Sequence, residues 1–208
     1  MTPIARPCLA AAAALLVAGC AAPRIDGQWA DPAFATRSLR DQKVLVSCRA
    51  PDSTLARLCE ERLAAAVREA GGQPLVAPVP VDAAGGHEAV AKAARGLGAS
   101  AALASAVNVA GVTQSSFGPS LGFGFGGGVG GGRGGIGFGG IGMSVPLGGV
   151  RPQTSYGMGS TVLDAASGRE MWSVRATSPV ADDAPVQIGA LARTSVDAMR
   201  DAGLFGPR

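Results

Sequence analysis

The order of hydrophobic patterns along the chain is the feature that most constrains its fold. Short apolar runs typical of buried strands alternate with stretches whose apolar residues recur every three or four positions, as on one face of a helix. Strands are predicted over 43–48, 100–112, 154–163 and 170–177, helices over 54–70, 87–97 and 184–202, and a short strand or loop over 74–81. This order predicts an α/β (α+β) fold, namely a two-layer domain with a mixed sheet, roughly three helices and a glycine-rich insert.

Two of these helices carry signals for their first residues. Asp52 or Ser53 is placed to cap the first helix, and Asp183 to cap the last one, which has Pro185 in its first turn. Short polar side chains at these positions accept hydrogen bonds from the free N–H groups of the first turn. A strand hairpin is predicted across the turn Asp164–Gly168, because aspartate and glycine both favour tight turns.

The insert spans residues 118–149 and holds 17 of the 32 glycines. Apolar residues alternate with glycine along it, among them Phe123, Phe125 and Phe138, which makes these three candidates for contacts with a partner. Three interpretations stay open. The insert is a disordered loop, a glycine-faced hairpin packed on this domain or on a sister subunit, or a hairpin that enters a membrane as part of an oligomeric pore.

The sequence Val17-Ala18-Gly19-Cys20 follows a short apolar run that is too short to span a bilayer. It resembles the lipobox of bacterial lipoproteins, in which the cysteine becomes the first residue and carries acyl chains. We therefore expect a signal peptide over 1–19, lipidation of Cys20, a short tether over 20–28 and one α/β domain over 29–204. Ala21 resembles the residue that follows the cysteine in outer-membrane lipoproteins, which places the chain on the periplasmic face of that membrane.

Export also bears on the cysteines that remain, Cys48 and Cys59. They form an even pair in an oxidising compartment, and a turn from a strand into a helix brings such positions within disulfide reach. We expect a disulfide between them; two separate buried thiols are the alternative.

No catalytic, metal or cofactor site emerges from the sequence, so we expect a protein that is not an enzyme and has no cofactor. His87 is the only histidine, and the formal net charge of +3 is too small for a nucleic-acid partner. A G-x-G-x-x-G match at 122–127 lacks the helix that a dinucleotide site requires.

Several of these features together resemble an uncharacterised family of proteobacterial envelope lipoproteins. They are the lipobox, Trp29, the glycine-rich segment ending in Gly142-Met-Ser-Val-Pro146, the hairpin sequence Thr161-Val-Leu-Asp-Ala-Ala-Ser-Gly-Arg-Glu-Met-Trp172-Ser and a terminal helix. The hairpin also recurs in domains similar to the TolB amino-terminal domain, the peptidoglycan-synthase activator lipoproteins and the curli-secretion lipoprotein. The resemblance implies a fold but no activity. This tether is shorter than that of the synthase activators, and the glycine-rich segment lacks the polar face of a secretion-channel hairpin.

These features predict a non-enzymatic interaction or structural module of the cell envelope. Its partner is another envelope protein or a second copy of itself, with contacts through a sheet edge, Trp29, Trp172 and the glycine-rich insert. The alternative is an oligomeric pore or secretion component that inserts the hairpin 118–149 into the membrane.

Overall fold

The computed structural model describes residues 22–77, 86–116, 120–123, 143–146 and 150–206. The strands are β1 (Arg24–Ala30), β2 (Lys43–Arg49), β3 (Gln73–Val76), β4 (Ala101–Ser116), β5 (Ser120–Phe123), β6 (Met143–Pro146), β7 (Val150–Asp164) and β8 (Glu170–Thr177). The helices are α1 (Ser53–Glu69), α2 (Gly86–Gly96) and α3 (Ala184–Asp201), and Pro32–Phe34 forms a turn of 3-10 helix. Within these ranges no helix has both the length and the hydropathy needed to cross a membrane.

Six strands form one mixed sheet in the order β1-β8-β7-β4-β2-β3. β2 lies parallel to β3 and β4, because α1 and α2 return the chain to the same end of the sheet between these strands. The remaining neighbours, β4 with β7, β7 with β8 and β8 with β1, are antiparallel. The mixed sheet and the three helices confirm the predicted fold class.

The main core lies between the sheet and the pair α1 and α3, which pack on the same face. Its large buried side chains include Val44, Val46, Leu63, Leu103, Met158, Val162, Trp172, Ile188, Leu191 and Met199. Burying one such side chain stabilises the fold by about 1.5–3 kcal/mol. Among the described residues, α2 covers one end of the opposite face, where Ala94 packs against Leu45, Ala102 and Leu163.

Both predicted helix caps are present. The side chain of Asp52 accepts a hydrogen bond from the backbone N–H of Leu55 at 2.9 Å, and that of Asp183 accepts one from Val186 at 3.0 Å. Asp52 is therefore the cap of α1 rather than Ser53.

The predicted disulfide is also present. It joins Cys48, near the end of β2, to Cys59 in the second turn of α1, and the two Cα atoms are 5.9 Å apart. Both cysteines are buried in the main core, so the bond fastens α1 to the central part of the sheet.

β4 and β7 continue together well beyond the rest of the sheet. β2 pairs with β4 only as far as Ala106, and β8 pairs with β7 only from Gly157 onward. Past these points β4 and β7 pair with each other as far as Ser116 and Val150, with a bulge between Val109 and Gly111, and one isolated bridge joins Thr154 of β7 to Ala181. β5 and β6 then form a second two-stranded sheet inside the predicted insert, with Phe123 opposite Met143. We call residues 107–116, 120–123, 143–146 and 150–156 the ribbon.

The first strand begins earlier than the sequence indicated. β1 starts at Arg24, inside the segment 20–28 that we expected to be a tether. All seven β1 residues are exposed, so the strand adds little to the core and forms through its backbone pairing with β8.

Candidate functional site

β1 is one outer edge of the sheet. Its inner side pairs with β8 from Arg24 opposite Thr177 to Ala30 opposite Trp172, and its outer side has no strand neighbour in the described part of the chain. An unpaired edge presents backbone N–H and C=O groups that can pair with a strand of another molecule. Trp29 is 50% exposed on this edge, so the edge also offers a large apolar side chain.

Side-chain contacts hold β1 in place at both ends. At its start, Asp26 accepts a hydrogen bond from the hydroxyl of Thr177 and forms an ion pair with Arg24 at 2.9 Å. The bond from Thr177, helped by the positive charge of Arg24, keeps the pKa of the Asp26 carboxyl below its ordinary value. Just after its end, Asp31 forms an ion pair with Arg169 at 2.7 Å. The exposed edge is therefore fixed before any partner arrives, which reduces the entropy lost on binding.

Beside this edge lies the face of the sheet that α1 and α3 do not cover, and between β1 and α2 no described residue packs over it. We call this surface the open face; its residues are Trp29, Ala106, Gly159, Thr161, Ser173 and Arg175. It contains three adjoining depressions of about 540, 420 and 180 Å³, and Gly159 lines all of them. A Cβ atom added to Gly159 would meet no atom within 4 Å. The depressions form where the strands carry small residues, as at Ala106 and Gly159.

The polar groups of the open face suit the binding of another surface. Arg175 lines the two larger depressions, and Arg49 and His87 line the smallest. An arginine and a tryptophan beside small residues are typical of protein interfaces, in which both residue types are enriched. Within the described residues, no group of three or more His, Cys, Asp or Glu side chains is placed to hold a metal ion.

The conspicuous turn between β7 and β8 has a structural role. One carboxylate oxygen of Asp164 accepts hydrogen bonds from the backbone N–H and the hydroxyl of Ser167, at 2.8 and 2.7 Å. The other oxygen lies 3.1 Å from the guanidinium of Arg37. Burial alone raises the pKa of this carboxyl, but the bonds from Ser167 and the charge of Arg37 outweigh burial, so the pKa lies below its ordinary value. Asp164 thus stays ionised while it fixes the hairpin that β1 packs beside.

The structure separates the two tryptophans that the sequence put forward as contact residues. Trp29 is half exposed, as an interaction residue requires. Trp172 has no exposed area and belongs to the main core, so the prediction that it contributes to a contact surface is corrected. The reason is its register on β8, since Trp172 lies opposite Val162 and alternates with Val174 and Ala176 on the face that α3 covers.

Of the other residues predicted as contact or lipidation sites, the described structure includes only one. Phe123 is the last residue of β5, within the ribbon. Phe125, Phe138 and the lipidation site Cys20 lie outside the described residues.

Sequence reasoning did not find the open face, although a signal for it was present. Small residues recur at alternate positions on two neighbouring strands, at Ala104 and Ala106 of β4 and at Gly157 and Gly159 of β7. Ala106 lies opposite Gly159 in the observed register. Alternate residues of a strand point to the same face, so this pattern indicates a face with little side-chain volume.

The described part of the chain is thus a mixed α/β domain with an exposed edge strand, an open face and a projecting ribbon. No protein-family model matches the chain, and no curated protein matches its sequence. Its fold is similar to that of PelC from Paraburkholderia phytofirmans, solved as a dodecamer, with a TM-score of 0.50 and 15% sequence identity over 89% of this chain and 99% of that chain. At this level of identity the similarity concerns the fold alone.

Two further solved structures are similar at lower TM-scores. A dodecameric variant of PelC from the same organism has a TM-score of 0.46 and 16% identity, over 82% of this chain and 96% of that chain. Lipoprotein GNA1162 from Neisseria meningitidis has a TM-score of 0.43 and 16% identity, over 77% of this chain and 99% of that chain.

Proposed function

We propose that this chain is a lipid-anchored protein on the periplasmic face of the bacterial outer membrane. We propose further that it acts by assembling with copies of itself rather than by catalysing a reaction. The sequence around Cys20 supports the anchor, because two or three acyl chains hold a protein stably at a membrane. The exposed edge of β1 supports the assembly.

The observation that carries the proposal is that, within the described residues, the sheet has two different edges on opposite sides without a further strand. β1 exposes Trp29 at one edge, and β3 exposes Val76, 46% accessible, at the other. A contact between two different surfaces repeats from copy to copy and closes into a ring when the rotation per copy allows it. PelC, which shares the fold over 89% of this chain, is described as a dodecamer, and this agrees with such an arrangement.

The assembly is tested by the mass of the protein in solution. In the mature chain, the substitution Cys20→Ser removes the site of acylation. The mass of this variant is measured by light scattering and native mass spectrometry over a range of protein concentrations. We expect a defined oligomer. Trp29→Lys should weaken each contact by about 2 kcal/mol or more, or about thirtyfold, because charge on a strand edge opposes pairing and a tryptophan at an interface centre dominates affinity.

Val186→Lys is the matched control, because Val186 is 62% exposed and belongs to α3 rather than to either edge strand. It should leave the oligomer intact, and both variants should keep the circular dichroism spectrum and melting temperature of the parent. A parent that is monomeric at every concentration would overturn the assembly part of the proposal, and so would an oligomer that is unaffected by Trp29→Lys.

The anchor is tested separately in cells. We expect the unmodified chain to incorporate labelled palmitate and to sediment with outer membranes, and Cys20→Ser to abolish the labelling. Labelling that persists in Cys20→Ser would show that the lipid is attached elsewhere.

A further inference from the structure

The strand order places the start of β1 at the end of the sheet from which the ribbon leaves. Arg24 lies opposite Thr177, and Thr177 in turn lies opposite Gly157. Gly157 lies opposite Asn108, where the ribbon begins to extend beyond the sheet. These four residues form one row across β1, β8, β7 and β4. β1 runs from this row into the sheet, so the chain that precedes Arg24 joins the domain at the ribbon end.

The segment between Cys20 and β1 is shorter than the ribbon, so a membrane that holds Cys20 lies within reach of the ribbon. Cys20 lies four positions before Arg24. A chain of that length reaches at most about 14 Å, since an extended residue spans about 3.3–3.6 Å. From Asn108 to Ser116 the ribbon extends by eight residues, about 26 Å at 3.3 Å per residue, before β5 and β6 begin. The tether is therefore too short to hold the ribbon end clear of the bilayer.

The composition of the ribbon suits a lipid surface. Among its 25 residues only Arg151 is charged, whereas the 16% charged residues of the whole chain would give about four. Two valines of the ribbon are prominently accessible, Val109 at 48% and Val112 at 61%. In β5 and β6, the apolar pairs Leu121–Val145 and Phe123–Met143 alternate with the pair Gly122–Ser144. A strand pair that is almost free of charge, and whose one charge is positive, fits the interface of a bilayer with anionic lipids.

We propose that the ribbon lies against the lipid bilayer that holds the acyl chains of Cys20. The bilayer then binds the protein at two places, through the acyl chains and through the strands of the ribbon, and these two attachments fix the direction in which the sheet and its open face point. This inference rests on the lipid anchor of the proposed function. It does not depend on self-assembly.

The first test measures contact with lipid at single positions of the lipidated mature protein in vesicles of phosphatidylethanolamine and phosphatidylglycerol. Tryptophan is introduced on the ribbon by Leu121→Trp, and as a matched control by Leu97→Trp. Leu97 is 40% exposed and lies four residues before β4, at the opposite end of the sheet. We expect brominated acyl chains to quench the added fluorescence of Leu121→Trp and to leave that of Leu97→Trp unchanged. Equal quenching at both positions, or none at position 121, would overturn the proposal.

The second test removes the acyl chains, so that only the ribbon can bind. In the mature chain with Cys20→Ser, one variant replaces residues 117–149 by Asn-Gly and so joins Ser116 to its partner Val150. A control variant replaces residues 124–142 by Asn-Gly and so joins Phe123 to its partner Met143, which keeps β5 and β6. We expect the parent and the control to sediment with vesicles and the shorter variant to lose this binding.

The outcomes of the second test separate this inference from the proposed function. The shorter variant keeps residues 107–116 and 150–156 of the ribbon and lacks only β5 and β6. Binding that survives in the shorter variant, or that is lost equally in the control, would overturn lipid contact through β5 and β6. A shorter variant that loses its oligomeric mass while the parent fails to bind vesicles would show that the ribbon contacts another copy of the chain instead. Loss of assembly in Trp29→Lys with vesicle binding unchanged would leave the lipid contact supported.

Discussion

Removing the disulfide between Cys48 and Cys59 is the perturbation whose energetic effect follows most directly from the structure. The bond closes a loop with a sequence separation of 11 residues, and the chain-entropy model gives about 2.8 kcal/mol at 25 °C for a loop of this length. The double variant Cys48→Ala/Cys59→Ala also loses the packing of two buried sulfur atoms. We therefore expect it to lose at least the entropic amount.

The measurement is urea unfolding of the mature chain with Cys20→Ser, followed by circular dichroism. With a slope of about 2 kcal/mol per molar urea, the expected loss lowers the midpoint by about 1.4 M. Unfolding of the parent in the presence of a reductant is the matched control, because reduction breaks the bond and keeps both sulfur atoms. If the free energy of unfolding of the reduced parent lies within about 1 kcal/mol of that of the oxidised parent, the loop-entropy reasoning is refuted.

Two further predictions concern buried polar groups. At neutral pH, Asp164→Asn should destabilise the fold by about 1–2 kcal/mol, because it removes a charge-assisted acceptor and the ion pair with Arg37. The pKa of Asp164 in the folded protein lies below the ordinary value of about 3.9. The stabilisation is therefore present above about pH 3.9 and is lost as the pH falls through the folded pKa. A difference in the free energy of unfolding between parent and variant that stays constant from pH 7 to strongly acidic pH would contradict this. Ser105 and Ser160 share a buried hydrogen bond of 2.8 Å, so Ser105→Ala alone should cost about 1–3 kcal/mol by leaving a buried hydroxyl unpaired. The double variant Ser105→Ala/Ser160→Ala should cost less than the sum of the two single changes, and additive costs in thermal unfolding would argue against the pairing.

The parts of the fold that sequence reasoning predicted are those whose signals are local. Asp52 and Asp183 cap their helices because a short acidic side chain satisfies N–H groups within its own first turn. The disulfide followed from the chain distance between a strand and the helix after it. In each case the residues that determine the feature lie close together in the sequence.

The parts that were missed depend on pairing between distant segments. β1 is a strand because β8, more than 140 residues later in the chain, supplies its hydrogen-bond partners. The burial of Trp172 depends on its position relative to Val174 and Ala176 and on which face of β8 α3 covers, and only the assembled sheet decides that face. The open face likewise depends on how far α2, among the described elements, reaches across its side of the sheet. The alternation of small residues can be read from the sequence. Which part of that face a helix covers can be seen only in the folded structure.

The two proposals together restrict the symmetry of the assembly. In a cyclic ring all copies have the same direction along the axis, so every ribbon and every acylated Cys20 leaves the ring on one side and reaches one membrane. In a dihedral assembly, half of the copies point the other way, and with a tether of about 14 Å their anchors could not reach the same bilayer. Lipid anchoring at Cys20 and assembly through the edges of β1 and β3 therefore exclude a dihedral assembly, and a closed oligomer of this kind is cyclic. Electron microscopy of the lipidated protein in vesicles should show single rings, and two rings stacked back to back would mean that either the anchor or the edge contact has been assigned wrongly.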